Sequence, residues 1–215
     1  MSAAKTIIIS CAGSGTRLGL GSTKALVDIK GKPLIIRQLE LLDDYDDIRV
    51  VVGYQAQKVI EVVRKYRDDI LFVFNHEYKT TGTAASVCYA AKYANEYIVS
   101  LDGDLLVHPA DLKLFLSQNE ECIGVCNPTT NEPVFISTFM KDDRVYASSF
   151  SREHGDLEWT GLVQVKTERL PFGTAHLYQI LEPLLPMPIF TIRAREIDTM
   201  NDYENAIKWV VNGYE

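Results

Sequence analysis

The stretch Lys5-Thr6-Ile7-Ile8-Ile9-Ser10-Cys11-Ala12-Gly13-Ser14-Gly15-Thr16-Arg17-Leu18-Gly19, with Lys24 shortly after it, decides how this chain is read. Its apolar, β-branched first half predicts a strand over Lys5–Cys11. The second half is a glycine-rich loop, in which small residues let main-chain N–H groups approach an anion closely. A loop of that kind at a strand end suits a polyphosphate. Arg17 adds a bidentate fork for phosphate oxygens, and Lys24 adds a point charge. A strand–helix turn that is rich in glycine for packing alone is the plainer alternative.

Two common phosphate-binding patterns do not fit. A dinucleotide fingerprint needs G-x-G-x-x-G and an acid at the end of the second strand. Here the third glycine comes one residue late (Gly13, Gly15, Gly19), and the second predicted strand ends in Gly53-Tyr54. A P-loop needs glycine, lysine, then serine or threonine. Lys24 instead follows Thr23 and precedes Ala25.

Outward from the loop, short apolar runs predict strands at Lys5–Cys11, Ile48–Gly53, Ile70–Asn75 and Tyr97–Leu101. Helical patterns separate them at Pro33–Leu42, Ala56–Tyr66 and Thr83–Tyr93, with another at Asp111–Gln118. Near-continuous apolar strands joined by helices imply an α/β fold with a parallel sheet covered on both faces. Ligands gather at the carboxyl ends of such strands. Farther on, Val134–Met140 and Val145–Phe150 read as a hairpin, Gly161–Lys166 and Ile189–Ala194 as strands, and Ala175–Leu185 and Asp202–Val211 as helices. No repeat or linker interrupts the chain. A single domain over 1–215 is expected, with a small hairpin subregion at about 128–165.

Composition bounds the function. The 215 residues are 47% hydrophobic and 24% charged, as in an ordinary globular protein, and carry a formal charge of −7. That charge argues against electrostatic tracking of nucleic acid and gives no reason to invoke an anionic membrane. The start Met-Ser-Ala-Ala-Lys has no apolar signal region, and Cys11, Cys88, Cys122 and Cys126 are too scattered for a disulfide framework. A cytoplasmic protein with reduced thiols is expected.

The opening loop and its continuation resemble the nucleotidyltransferase family, enzymes that join a nucleotide to a sugar phosphate or a small phosphoester. That signature runs A-G-x-G-(S/T)-R-(L/M), then P-K-x-L, then G-(K/R)-P-(L/I). This chain supplies Ala12 to Leu18, Lys24-Ala25-Leu26 and Gly31-Lys32-Pro33-Leu34, with Thr23 where the family usually has proline. Val52-Gly53-Tyr54, Phe74-Asn75 with Tyr78, Ser86, Asp102-Gly103-Asp104, Gly161 and Glu196-Ile197-Asp198-Thr199 extend the likeness. Together they look most like the small cytidylyltransferases that act on phosphocholine, aminoalkylphosphonates or inositol phosphate. The resemblance implies a three-layer α/β/α sandwich with a Rossmann-like, mostly parallel mixed sheet of the GT-A-like type.

Asp102-Gly103-Asp104 follows the fourth predicted strand, where carboxylates suit Mg²⁺ and phosphate oxygens, although Asp-Gly-Asp is also a common turn. Asp198-Thr199 reads by itself as a helix start. The resemblance makes Asp104 and Asp198 the metal carboxylates, Lys24 the cation at the α-phosphate, and Arg17 a contact to the β- and γ-phosphates. It also assigns Ala12, Gly13, Ser14, Gly15, Thr16, Gly53, Thr81, Gly82, Thr83 and Ser86 to the nucleotide. Thr83 doubles as a possible helix cap, and threonine and serine hydroxyls together with helix-start N–H groups there are expected to read the base.

The segment Glu153 to Gly161 is expected to be a loop over the acceptor, with Asp102, Glu158, Trp159 and Gly161 as contacts and His154 the nearest histidine. Acids and a tryptophan suit a quaternary ammonium group, or a polyol, and equally suit a solvated loop with a core anchor. The expected activity is Mg²⁺-dependent transfer of a nucleoside monophosphate, CMP from CTP favoured, to a small phosphorylated acceptor, by a monomer or homodimer. The alternatives are a sugar-1-phosphate nucleotidylyltransferase using UTP, dTTP or GTP, a nucleotide-sugar glycosyltransferase, and a silent nucleotide-binding regulator.

Overall fold

A computed structural model describes residues 3–15, 18–19, 21–130 and 132–215. Thr16 and Arg17, both assigned above to the phosphates, lie outside the described residues. The isoleucine run forms β1 (Lys5–Cys11), in which Ile7, Ile8 and Ile9 are each at most 1% exposed. Burying each of those side chains contributes roughly 1.5–3 kcal/mol, which explains why this strand sits inside the sheet.

β1 pairs in parallel with β2 (Ile48–Val52) on one side and β4 (Tyr97–Asp102) on the other. β3 (Leu71–Phe74) extends the parallel block beyond β2. The helices α1 (Leu34–Glu40), α2 (Ala56–Arg64) and α3 (Thr83–Ala90) connect these strands. Past β4 the sheet becomes mixed. β9 (Leu157–Lys166) runs antiparallel between β4 and β6 (Cys122–Cys126). Then come β10 (Met187–Thr191), β8 (Arg144–Ser151) and β7 (Phe135–Lys141). The described residues thus build a nine-stranded sheet in the order β3-β2-β1-β4-β9-β6-β10-β8-β7.

Because strand side chains alternate, Ile7 and Ile9 face one layer and Ile8 the other. The first layer holds Ile35 and Leu39 of α1, Val59 and Val63 of α2, and Leu112 and Phe115 of α4 (Pro109–Leu116). The second holds Val87 and Ala90 of α3 with Leu177 and Leu181 of α5 (Leu177–Leu181). A smaller cluster joins Leu18, Ile29 and Leu34 to Ala206 and Trp209 of α6 (Met200–Val211). The result is the expected three-layer arrangement.

Three expectations change. The predicted strand at Gly161 begins earlier, at Leu157, so Leu157 to Thr160 belong to the sheet and do not form a loop over the site. The predicted helix Ala175–Leu185 is only α5 plus a 3-10 turn at Glu182–Leu184, and Pro183 lies in that turn. The predicted strand Ile189–Ala194 breaks at 192–193. There the Arg193 main chain leaves the ladder, donating to Asp111 Oδ2 at 2.8 Å and accepting from His108 at 2.9 Å. The chain then resumes as β11 (Ala194–Glu196), which pairs with β5 (Leu105–Val107) in a separate two-stranded ribbon. Among the described residues the four cysteines form no disulfide, and no helix is long and apolar enough to cross a membrane.

Candidate active site

The two-stranded ribbon assembles the acidic centre. Asp104 immediately precedes β5, and Glu196 ends β11 opposite Leu105. The Ile197 N–H donates to the Asp104 carbonyl at 3.0 Å, so the two acidic segments are locked side by side. Carboxylate oxygens of Asp104, Glu196 and Asp198 all lie within 4.8 Å of one another. Sequence reasoning missed Glu196 as a member, although it stands in the quoted Glu-Ile-Asp-Thr segment; a register opposite Leu105 is not visible in a linear pattern. Thr199 accepts from the Asp202 N–H while Asp202 accepts from the Thr199 N–H, a capping box that starts α6 directly behind Asp198.

Lys24 reaches this cluster from the far end of the glycine-rich loop. Its Nζ donates to Asp104 Oδ2 at 2.7 Å and also to Asp198 Oδ1. The carboxylates therefore already converge on a positive charge, and their hard oxygen donors fit a divalent ion such as Mg²⁺. Thr23, at the family's proline position, holds φ at −64°, the angle a proline would impose, so the missing ring does not change the local path. Gly15 passes so close that a Cβ would lie 2.9 Å from Lys24 Cγ, and its φ is +59°. Ala12 is buried, whereas Gly13 and Ser14 are exposed at the start of the loop.

Asp102 stands behind the cluster. Burial, then the charges of Asp104 and Glu196, hold its carboxyl well above the usual range against the opposing pull of Lys24. Gly161 sits directly over it with φ +81°, where a Cβ would be 2.3 Å from Asp102 Oδ2. Gly103 is packed equally tightly under β1, its N–H donating to the Ser10 carbonyl at 3.0 Å.

The loop assigned to the base is closed by Asn75. This residue is 1% exposed, and its Nδ2 donates to Thr81 Oγ1 and Ser86 Oγ, both at 3.1 Å. Two expectations are corrected here. The helix cap is Gly82, not Thr83, whose Oγ1 accepts from the Leu177 N–H. The N–H groups of Gly82 and Ala84 are spent on the carbonyls of Thr174 and Ala175, at 2.7 and 3.1 Å, so neither is available to read a base. Gly53 is a close-packing residue as well, since a Cβ there would lie 2.8 Å from the Ala12 carbonyl oxygen.

A cleft of about 440 Å³ opens from Asp104, Glu196 and Asp198 toward Trp159, Arg152 and Tyr178. Glu158, read above as an acceptor contact, lines it but is 4% exposed and committed to its own framework. Its carboxylate accepts from the N–H groups of Thr129 and Thr130 and from Thr130 Oγ1 at 2.6, 3.2 and 2.5 Å. It fixes the turn after β6. Trp159 Nε1 donates to the Leu162 carbonyl at 3.1 Å, and the ring meets Phe150 edge-on. His176, on the strand-like entry to α5, lines the cleft, whereas His154 is exposed and is not among its lining residues.

A Rossmann-like sheet with a glycine-rich loop and an acidic centre at its strand ends defines a nucleotide-handling α/β protein. Residues 7–156 match the model of the MobA-like NTP transferase domain, and the chain belongs to that family. It carries a nucleotidyltransferase domain. The Bifunctional protein GlmU of Aliarcobacter butzleri (strain RM4018) is 37% identical over 114 residues, 52% of this chain and 26% of that protein, so the chain spans about a quarter of that relative's length. The fold is similar to the CTP:phosphocholine cytidylyltransferase of Streptococcus pneumoniae, with a TM-score of 0.74 and 20% identity over 96% of this chain and 99% of that one. It is also similar to the inositol-1-phosphate CTP transferase of T. maritima, with a TM-score of 0.74 and 18% identity over 100% and 99%.

Proposed function

We propose that this chain transfers CMP from CTP to a small phosphate or phosphonate acceptor and releases pyrophosphate. The observation that carries this reading is Lys24 held between Asp104 and Asp198, with Glu196 beside them at the mouth of the cleft. The preference for CTP is supported by the activities named for the two fold neighbours from S. pneumoniae and T. maritima.

An acceptor phosphate or phosphonate oxygen attacks the α-phosphorus of CTP, the new P–O bond forms, and the bond to the β-phosphate oxygen breaks with pyrophosphate as leaving group. The nucleophile is already anionic near neutral pH, so no general base is required. The protein must bring two anions together and stabilise the charge that builds on the α-phosphate and leaving group. Lys24 supplies one fixed positive charge for this, and Gly13 and Ser14 are exposed where a polyphosphate would lie along the main chain. Asp104, Glu196 and Asp198 would hold a divalent cation, which supplies Lewis-acid charge to phosphate oxygens when bound. The far wall of the cleft, with Trp159 and Tyr178, takes the body of the acceptor.

The test is pyrophosphate release with Mg²⁺, crossing CTP, UTP, dTTP, GTP and ATP against phosphocholine, 2-aminoethylphosphonate, inositol phosphate and sugar 1-phosphates. Release that depends on CTP and one of the first three acceptors supports the proposal. Release only with UTP, dTTP or GTP and a sugar 1-phosphate replaces it with the sugar-nucleotide alternative.

A further inference from the structure

The turn between β2 and α2, Gly53-Tyr54-Gln55, touches the glycine-rich loop at both ends. At the near end the Tyr54 N–H donates to the Ala12 carbonyl at 3.0 Å. At the far end Gln55 Nε2 donates to the Gly21 carbonyl at 2.9 Å, just before Thr23 and Lys24. The backbone of Gln55 is left-handed, with φ 51° and ψ 34°, a costly conformation for a residue that carries a Cβ. Gln55 also occupies the cap position of α2, where a polar side chain ordinarily accepts from a helix N–H. It makes no such bond. Its amide instead serves Gly21 and the Tyr54 hydroxyl, the latter at 3.2 Å. The left-handed backbone belongs to the turn that the Ala56 N–H closes on the Gly53 carbonyl at 3.3 Å, and the cap stands idle because the amide is spent on Gly21 and Tyr54.

We infer that Gln55 is a positioning residue for the nucleotide: its amide holds the Gly21 carbonyl, three residues before Lys24, and so sets where Lys24 meets the phosphates. This rests on the proposal above that the loop receives a nucleoside triphosphate.

The experiment compares wild-type protein with Gln55→Gly and Gln55→Glu, measuring turnover against CTP and acceptor separately, CTP binding by calorimetry, and thermal melting. Gln55→Gly removes the amide and relieves the left-handed backbone, so Tm is expected to stay level or rise while KM and Kd for CTP rise about tenfold, a loss the size of one good hydrogen bond. The acceptor KM should stay within about twofold of wild type on the same scale. Gln55→Glu sets a carboxylate against the Gly21 carbonyl, so its CTP constants should rise further. The inference is overturned if Gln55→Gly leaves the CTP constants unchanged. It is equally overturned if both substrates weaken together with a lowered Tm, the mark of a structural role. Failure of the wild-type protein to bind any nucleoside triphosphate would overturn the proposed function itself, and this inference with it.

Discussion

Lys24 Nζ lies 2.7 Å from Asp104 Oδ2, a contact between residues 80 positions apart in the chain. The same ammonium also meets Asp198, so the cation that follows the glycine-rich loop and the carboxylates that suit a metal are one electrostatic unit. Replacing Lys24 by methionine should therefore lower kcat by about two orders of magnitude, the loss of roughly 3 kcal/mol of transition-state stabilisation. Steady-state turnover measures that loss, and an unchanged circular-dichroism spectrum would show that the fold survives.

Glu196 separates this structure from a two-carboxylate site. Glu196→Gln should weaken Mn²⁺ binding, followed by electron paramagnetic resonance, by at least about tenfold, the scale on which even outer groups act at metal sites. Asp104→Asn and Asp198→Asn should weaken it at least as much. A chelator should abolish turnover, and excess Mg²⁺ should restore it.

Gly161 tests the support behind the carboxylates. Gly161→Ala forces a side chain into a left-handed backbone and onto Asp102, so it should cost on the order of 1–3 kcal/mol in urea unfolding from backbone strain, with turnover falling as Asp102 shifts. Gly13→Ala meets no atom of the described residues within 4 Å and should leave stability nearly unchanged.

Asp111 gives a pH-dependent prediction. Hydrogen bonds from the Arg193 guanidinium hold its carboxyl below the ordinary value near 3.8, against the opposing effect of burial. A depressed folded-state pKa gives stability that is fully present above the unfolded value and lost as pH falls through the lowered one. Arg193→Ala should thus lower Tm by a few degrees at pH 7, and the gap to wild type should shrink below about pH 4 as Asp111 protonates in both proteins. Melting curves across pH 2.5 to 7 would check it; a gap independent of pH would contradict the assignment.

The parallel half of the sheet was legible because burial on both faces writes strands as uninterrupted apolar runs, as in Ile7-Ile8-Ile9 and Val50-Val51-Val52. Loop positions were legible where one residue type is required, as at Gly15 and Lys24. What stayed hidden depends on partners distant in sequence. The three-residue strands β5 and β11 carry no periodic signal, yet their pairing places Glu196 beside Asp104. Glu158 looked like a solvent-side acid because no sequence pattern reveals that Thr129 and Thr130 satisfy it. The N–H groups of Gly82 and Ala84 looked open because their acceptors, Thr174 and Ala175, lie some ninety residues away.

The most direct measurement is ³¹P nuclear magnetic resonance of CTP and phosphocholine with Mg²⁺, run beside the same mixtures holding 2-aminoethylphosphonate or inositol phosphate. Wild-type protein should produce the acceptor's CMP conjugate (a CDP ester, or a phosphate–phosphonate anhydride with 2-aminoethylphosphonate) and pyrophosphate in equal amounts from one of these pairs, and Asp198→Asn should produce neither at a comparable rate. Unchanged CTP in every mixture, from wild-type protein that also fails to convert UTP, dTTP or GTP with sugar 1-phosphates, would contradict nucleotidyl transfer at Lys24, Asp104 and Asp198.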